Sequence, residues 1–259
     1  MPDITVEDLG RGDLKLKQLK DGFRFGTDSV LLAWFTASFV RQNAQTRLLE
    51  LGSGCGAAAL LVSARAGACS IDCCEVMPEP YEILKQNIDE NNLEGRLRAF
   101  NCDIRQLPKE VLGQQYDLVF FNPPFYRRTE GPAVDCKRAN RLAGRFEEHG
   151  GLEDFVKAAS ARLKPSSGYA VMVIKSERLG EAVKLFEDND LSPVRLMTVH
   201  PAVDKNATLF LLAGRKCGPR GQMRVLPPLI THYRNADGDI IETDKMIEIY
   251  NKEHRDCFI

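Results

Sequence analysis

The sequence predicts an α/β fold: a seven-stranded, mostly parallel sheet with helices on both faces. Three features point there. Short apolar runs alternate with longer segments of helical periodicity. A glycine-rich turn, Gly52-Ser53-Gly54-Cys55-Gly56, joins the first such run to a helical stretch. The 259 residues, 44% hydrophobic and 27% charged, suffice for one large core and lack the bias of a fibrous or disordered chain.

In chain order, residues 1–45 precede the first strand and carry a helical stretch at 29–40. Residues 47–51 read as a short buried strand, and the small apolar side chains of 57–66 as the helix after it. A second strand is expected at 70–76. The amphipathic helix at 78–91 has Pro78 near its start, where the missing N–H leaves no hydrogen bond unmade. Strands follow at 98–102 and at the strongly apolar 116–121, then a helix at 152–163, a strand at 169–175 and a helix at 179–189. Residues 194–199 and 208–213 form a closing pair of strands. Residues 215–259 are a tail rich in Pro, Gly and charge. A single domain over 1–259 is expected, with 46–214 as its core and 1–45 as an N-terminal extension packed on the ligand site.

Composition narrows the function classes. The net charge is −1, so affinity for nucleic acid must come from local patches. The first residues lack the basic and apolar regions of a signal peptide, and no apolar run approaches the ~18 residues of a membrane span. The eight cysteines include no Cys-x-x-Cys pair. They read as small buried hydrophobes in a reducing cytoplasm, with no metal site. A monomer or dimer is expected.

The glycine turn follows a strand and opens a helix, which is where backbone can approach a ligand and helix N–H groups are free. Glu75 ends the next strand about 20 residues on, where an acid accepts hydrogen bonds from a ribose diol. Gly52-x-Gly54-x-x-Ala57 also satisfies a dinucleotide fingerprint, and a plain tight turn remains a further reading. S-adenosylmethionine (SAM) suits the residues better than a dinucleotide. Glu50 fits the ligand's ammonium, or a water bound to it, and would sit badly beside a pyrophosphate. Asp103, just past the third strand, suits an adenine amino group, or else caps a turn. The expected cofactor set is Glu50, Gly52, Ser53, Gly54, Gly56, Glu75, Val76, Asp103, Ile104 and Asn122.

Asn122-Pro123-Pro124-Phe125 ends the fourth strand, on the ligand-binding side of such a sheet. An exocyclic purine amine is a poor nucleophile because its lone pair is delocalised into the ring. Two acceptors aimed at its hydrogens localise that lone pair. The Asn122 side-chain oxygen supplies one, and the Pro123 carbonyl, held by successive prolines, supplies the other. Both stabilise the positive charge that grows on nitrogen during methyl transfer. Phe125 and Tyr126 can stack on a flat base. Asn122, Pro123, Pro124 and Phe125 are therefore the expected catalytic residues.

The order Glu-Leu-Gly-Ser-Gly-Cys-Gly, Glu75, Asp103, Asn-Pro-Pro-Phe resembles class I SAM-dependent amino-methyltransferases with a Rossmann-like fold. The segment Gly22-Phe23-Arg24-Phe25-Gly26-Thr27-Asp28-Ser29-Val30-Leu31-Leu32, together with Asn-Pro-Pro-Phe-Tyr, resembles the bacterial family that methylates N6 of adenosine 37 in valine tRNA. The likeness runs from about residue 15 to 214. It implies SAM as cofactor, tRNA as substrate, and closure of Phe25, Thr27 and Asp28 over the methionine end of SAM. From the residues alone, Thr27 or Asp28 equally reads as a helix cap. Phe125 stands where Tyr is common in that family. Phe also occurs there in ribosomal guanine-N2 methyltransferases, which form one alternative. Protein glutamine N5-methyltransferases and a non-catalytic SAM-binding module are others.

Arg127, Arg128, Lys137, Arg138, Arg141 and Arg145 follow the motif with few acids among them, and with Tyr126 form the expected RNA surface. Arg215, Lys216, Arg220 and Arg224 make a second basic cluster. A target base must be splayed out of a helix, as in a loop.

Overall fold

The computed structural model describes residues 3–20, 25–41, 45–67, 69–125 and 150–251. A hairpin of β1 (Ile4–Asp8) and β2 (Lys15–Leu19) leads to helix α1 (Thr27–Ala37). Then β3 (Arg47–Leu51), α2 (Ala57–Ala66), β4 (Ser70–Glu75), α3 (Pro78–Glu90) and β5 (Leu97–Asn101) alternate. After the short α4 (Lys109–Leu112) come β6 (Leu118–Phe121), α5 (Leu152–Arg162), β7 (Tyr169–Lys175), α6 (Leu179–Asp188), β8 (Leu191–His200) and β9 (Leu209–Lys216).

The main sheet runs β8-β9-β7-β6-β3-β4-β5. Its neighbours pair in parallel except β9, which is antiparallel to both β7 and β8. These are the seven expected strands. The tail adds two parallel two-residue strands on β8, β10 (Arg224–Val225) and β11 (Leu229–Ile230), giving nine among the described residues. It also forms a hairpin, β12 (His232–Arg234) with β13 (Ile240–Glu242), and helix α7 (Asp244–Asn251).

Successive strand residues point to opposite faces and so build two cores. Leu48, Ile71, Cys73, Leu118, Phe120, Val171 and Val173 pack on the face covered by α1, α2 and α3. Leu49, Leu51, Cys74, Val119, Phe121, Met172 and Ile174 pack on the face covered by α5 and α6. Continuous apolar runs such as 118–121 are what a strand buried on both faces requires.

Both ends of the chain are tied into the fold. Strand β2 lies against α3, where Asn87 in the helix and Asn91 at its C-cap satisfy the strand's main chain. Asn87 Oδ1 accepts from Lys17 N at 2.8 Å and its Nδ2 donates to Lys17 O at 2.9 Å, and Asn91 does the same for Lys15. In the tail, Met246 and Ile249 join the first core, and Ile249 O accepts from the guanidiniums of Arg11 and Arg65. The cysteines also divide. Cys69, Cys73 and Cys74 are buried as expected, Cys55 and Cys102 only partly. Cys217 is exposed because it sits past β9, in a turn with φ of 50°. Cys136 and Cys257 lie outside the described residues.

Candidate active site

The chain leaves β3 towards β4 and β5 on one side and returns through β6 on the other, with Leu51 beside Phe121. Connections therefore diverge at the carboxyl ends of β3 and β6, where an open α/β sheet forms its binding crevice. The glycine turn, Glu75, Asp103 and Asn122 follow the carboxyl ends of β3, β4, β5 and β6, so the topology brings them to one edge.

The turn continues the β3–β4 pairing beyond the strand: Gly52 N and Ser53 N donate to Cys74 O at 2.9 and 3.0 Å. Gly56 then caps α2 with φ of 89°, and a Cβ there would lie 2.5 Å from Leu84 Cδ1, so only glycine fits. Gly54 is also left-handed, with open space where its Cβ would be. Glu75 is buried, and its carboxylate braces the turn. Oε2 accepts from Gly54 N and Oε1 from Met77 N, both at 2.7 Å. A carboxylate has about four acceptor positions, so a ribose diol can still be received.

Glu50 is 4% exposed, and its Oε2 has no hydrogen-bond partner. Burial lifts its pKa to about 8, with the nearby Glu75 charge adding to the rise and hydrogen bonds from Ser53 and the Ala59 amide opposing it. A buried carboxyl group short of one partner, beside a glycine turn, fits a ligand that carries an ammonium.

Asn122 follows β6. Its Nδ2 donates to Asp28 Oδ2 at 3.1 Å, and its Oδ1 is buried without a partner. Pro123 is buried, and Phe125 packs partly against the second core. Pro124 O accepts from Arg178 Nη1 at 3.3 Å. Arg178 is 7% exposed and paired with Glu181 at 2.8 Å.

Helix α1 begins at Thr27 with Gly26 as its N-cap and no capping side chain. Thr27 and Asp28 therefore do not cap it, because the helix starts two residues earlier than expected. Asp28 Oδ1 accepts from Ser29 N at 2.8 Å, leaving Oδ2 for Asn122. Thr27 Oγ1 bonds Tyr250 Oη at 3.2 Å, and Phe25 N donates to Gln18 Oε1 at 2.9 Å. Asp103 holds its own turn: Oδ1 accepts from Arg105 N at 2.8 Å, and the Arg105 guanidinium pairs with the carboxylate. Val76 O accepts from Asn101 Nδ2 at 3.1 Å, and Ile104 is buried in the second core.

Tyr126, Arg127, Arg128, Lys137, Arg138, Arg141 and Arg145 lie outside the described residues. In the second basic cluster Lys216 turns inward, donating to Ser160 Oγ at 2.8 Å. The sequence reading missed Arg178. Its only signal was its place just past the carboxyl end of a strand, and a single arginine in Ser-Glu-Arg-Leu-Gly-Glu does not announce that it is buried. No group of His, Cys, Asp and Glu among the described residues could hold a metal ion, and no helix among them is long and apolar enough to cross a membrane.

Comparison with known proteins shows the family. The chain is 26% identical over 243 residues to a Flavobacterium psychrophilum protein named tRNA1(Val) (adenine(37)-N6)-methyltransferase, covering 92% of each chain. A protein of the same name from Pectobacterium carotovorum is 27% identical, over 78% of this chain and 84% of that one. Among solved structures, Atu636 from Agrobacterium tumefaciens, described as a predicted O-methyltransferase, superposes with a TM-score of 0.66 at 21% identity, covering 87% of this chain and 96% of that one. The catalytic domain of hMettl16 in complex with MAT2A 3'UTR hairpin 1 gives 0.59 at 17% identity, covering 86% and 79%. The model of the methyltransferase small domain matches residues 25–187. That span runs from Phe25 into α6 and takes in Asp28, the glycine turn, Glu75, Asn122 and Arg178, so the chain belongs to the methyltransferase small domain family.

Proposed function

We propose that the protein methylates N6 of adenosine 37 in the anticodon loop of valine tRNA, with SAM as methyl donor. The observation that carries this reading is Asn122: a buried amide oxygen without a partner, on an amide whose nitrogen is already committed to Asp28. The names of the relatives supply the nucleotide and the RNA.

SAM supplies an electrophilic methyl group on a sulfonium. The chain's residues do the rest. Gly52, Ser53, Gly54 and Gly56 form a cradle with helix N–H groups behind it. Glu75 would receive the ribose diol while bracing Gly54. Glu50 would take the ammonium and lose its proton in doing so. Val76, Ile104 and Asp103 would border the adenine, and Phe25 and Thr27 would close the methionine end, with Asp28 beside them turned to Asn122. In this reading the 1–45 extension, through Phe25, Thr27 and Asp28, walls the site of the 46–214 core.

Asn122 Oδ1 and the Pro123 carbonyl accept the two hydrogens of the substrate amine. The nitrogen lone pair is thereby localised for attack on the methyl carbon. The positive charge that methyl transfer would place on this nitrogen would lie beside the two oxygens and be relieved by loss of one proton to water. Arg178 holds the Pro124 carbonyl so that the Pro-Pro segment keeps its course. Phe125 stacks on the base.

The test is to incubate protein, SAM and unmodified tRNA and measure N6-methyladenosine in the digested RNA by mass spectrometry. Asn122→Ala should lower turnover by about 100-fold or more, with SAM affinity little changed. A near-wild-type rate refutes the role of Asn122. Methylation of ribosomal subunits but not of tRNA refutes the substrate.

A further inference from the structure

Away from the catalytic edge, four arginines from separate segments converge on one cavity of about 370 Å³. Arg41 follows α1, Arg195 lies in β8, Arg215 in β9 and Arg224 in β10; Phe39 and Tyr169 complete the wall. Arg215 pairs across the sheet with Tyr169, the first residue of β7, and Arg224 pairs with Arg195. The cavity is therefore near the amino ends of the parallel strands, whereas Asn122 follows a carboxyl end. Helix α1 joins the two places, with Asp28 in its first turn and Arg41 just past its far end. At about 1.5 Å per residue this puts the cavity roughly 20 Å from Asn122.

Two of the guanidiniums are pre-set. Arg215 Nε and Nη2 both donate to Ser166 O, at 2.9 and 2.5 Å, and Arg195 lies over the Phe39 ring at 4.8 Å from its centroid. Arg41 and Arg224 are exposed. Among the described residues, none of the four forms an ion pair with a carboxylate, although the chain as a whole has one acid in excess. Like charges gathered around a cavity repel unless an anion joins them, and the guanidinium fork matches phosphate oxygens.

We propose that this cavity is a phosphate-recognition site that grips the backbone of the RNA substrate away from the target base. This rests on the RNA-methylating reading above. The adenosine to be methylated goes to Asn122, and a phosphodiester about 20 Å away goes to Arg41, Arg195, Arg215 and Arg224. The site carries no base specificity. It sets where the RNA lies, so that only a loop base at the right distance reaches the methyl donor.

The decisive experiment measures tRNA binding by fluorescence anisotropy across a salt series, for wild type and for Arg41→Ala with Arg224→Ala. Both residues are exposed, and SAM affinity reports that the variant is folded. The double variant should bind tRNA at least tenfold more weakly, and its plot of log affinity against log salt should be shallower by about 2. Arg41→Lys with Arg224→Lys should keep most of the wild-type slope. Unchanged tRNA affinity and slope in the alanine variant overturn the proposal. If the alanine variant loses only the binding of inorganic pyrophosphate, the occupant is a small phosphate compound, and the RNA proposal is likewise overturned. The binding measurement needs no turnover. Wild type that binds tRNA without methylating it refutes the proposed activity and leaves the docking site to be judged by the variant.

Discussion

The side chain of Asn122 is turned by Asp28: Nδ2 lies 3.1 Å from Asp28 Oδ2, so Oδ1 is the atom left free. An ionised carboxylate only accepts hydrogen bonds, so it selects the amide's nitrogen and rejects its oxygen. Asp28 thus acts through Asn122, as a positioning residue. Asp28→Asn should lower kcat by about tenfold or more, because the new amide can also face Asn122 the other way round. KM for RNA should change much less. An unaltered kcat, or a loss confined to SAM affinity, would return Asp28 to the cofactor.

Glu50 makes SAM binding depend on pH. Its folded pKa of about 8 lies above the ordinary 4.5, so between those values the cofactor-free protein holds a proton that the unfolded chain has released. Stability of the cofactor-free protein should then fall as pH rises through that window, by up to about 1.4 kcal/mol per pH unit, and level off above it. An ammonium at Glu50 favours the carboxylate, so binding below pH 8 should release a proton and tighten as pH rises. Glu50→Gln should remove both effects. Calorimetry in buffers of different ionisation enthalpy reads the proton directly, and binding without proton release refutes the assignment.

Glu75 has two duties, and a substitution should separate them. Glu75→Gln keeps one acceptor for Gly54 N or Met77 N but loses the charge. It should weaken SAM binding about tenfold while lowering Tm by only a few degrees. Glu75→Ala frees both amides and should cost stability as well, on the order of 1–3 kcal/mol. Wild-type SAM affinity in Glu75→Gln would mean that the carboxylate serves the turn alone.

Arg178→Leu should uncouple the proline segment from α6. It removes the bond to Pro124 O and the ion pair with Glu181, at a cost of about 1–3 kcal/mol in stability. Turnover should fall further than unfolding explains, at temperatures where circular dichroism shows the variant folded. Full turnover in the folded variant would show that the prolines hold the backbone unaided.

The sheet was legible because its strands are buried on both faces. Runs such as Leu-Val-Phe-Phe at 118–121 allow little else, and the ranges 47–51, 57–66 and 169–175 match the structure. The glycine turn and Asn-Pro-Pro-Phe were legible because left-handed backbone and fixed φ leave a mark on residue choice. The ends were not. Lys-Leu-Lys-Gln-Leu becomes β2 because Asn87 and Asn91, far along the chain, satisfy its main chain. The tail holds α7 because Met246 and Ile249 find a place in the core. The link from Asp28 to Asn122 and the four-arginine cavity are likewise properties of the folded arrangement, with no spacing in the sequence to betray them.

The bonds from Arg11 and Arg65 to Ile249, and from Thr27 to Tyr250, tie the β1–β2 hairpin, α2 and α1 to helix α7. Contacts so distant in sequence form late, after the intervening loops have been closed. On the ribosome the central strands can pair while α7 is still inside the exit tunnel, but the turn that bears Asp28 stays without its far-end anchor. The chain can therefore acquire its sheet before its last anchors, and a molecule cut short of α7 should keep the strand pairings while losing the bond that Tyr250 makes to Thr27, one residue before the partner of Asn122.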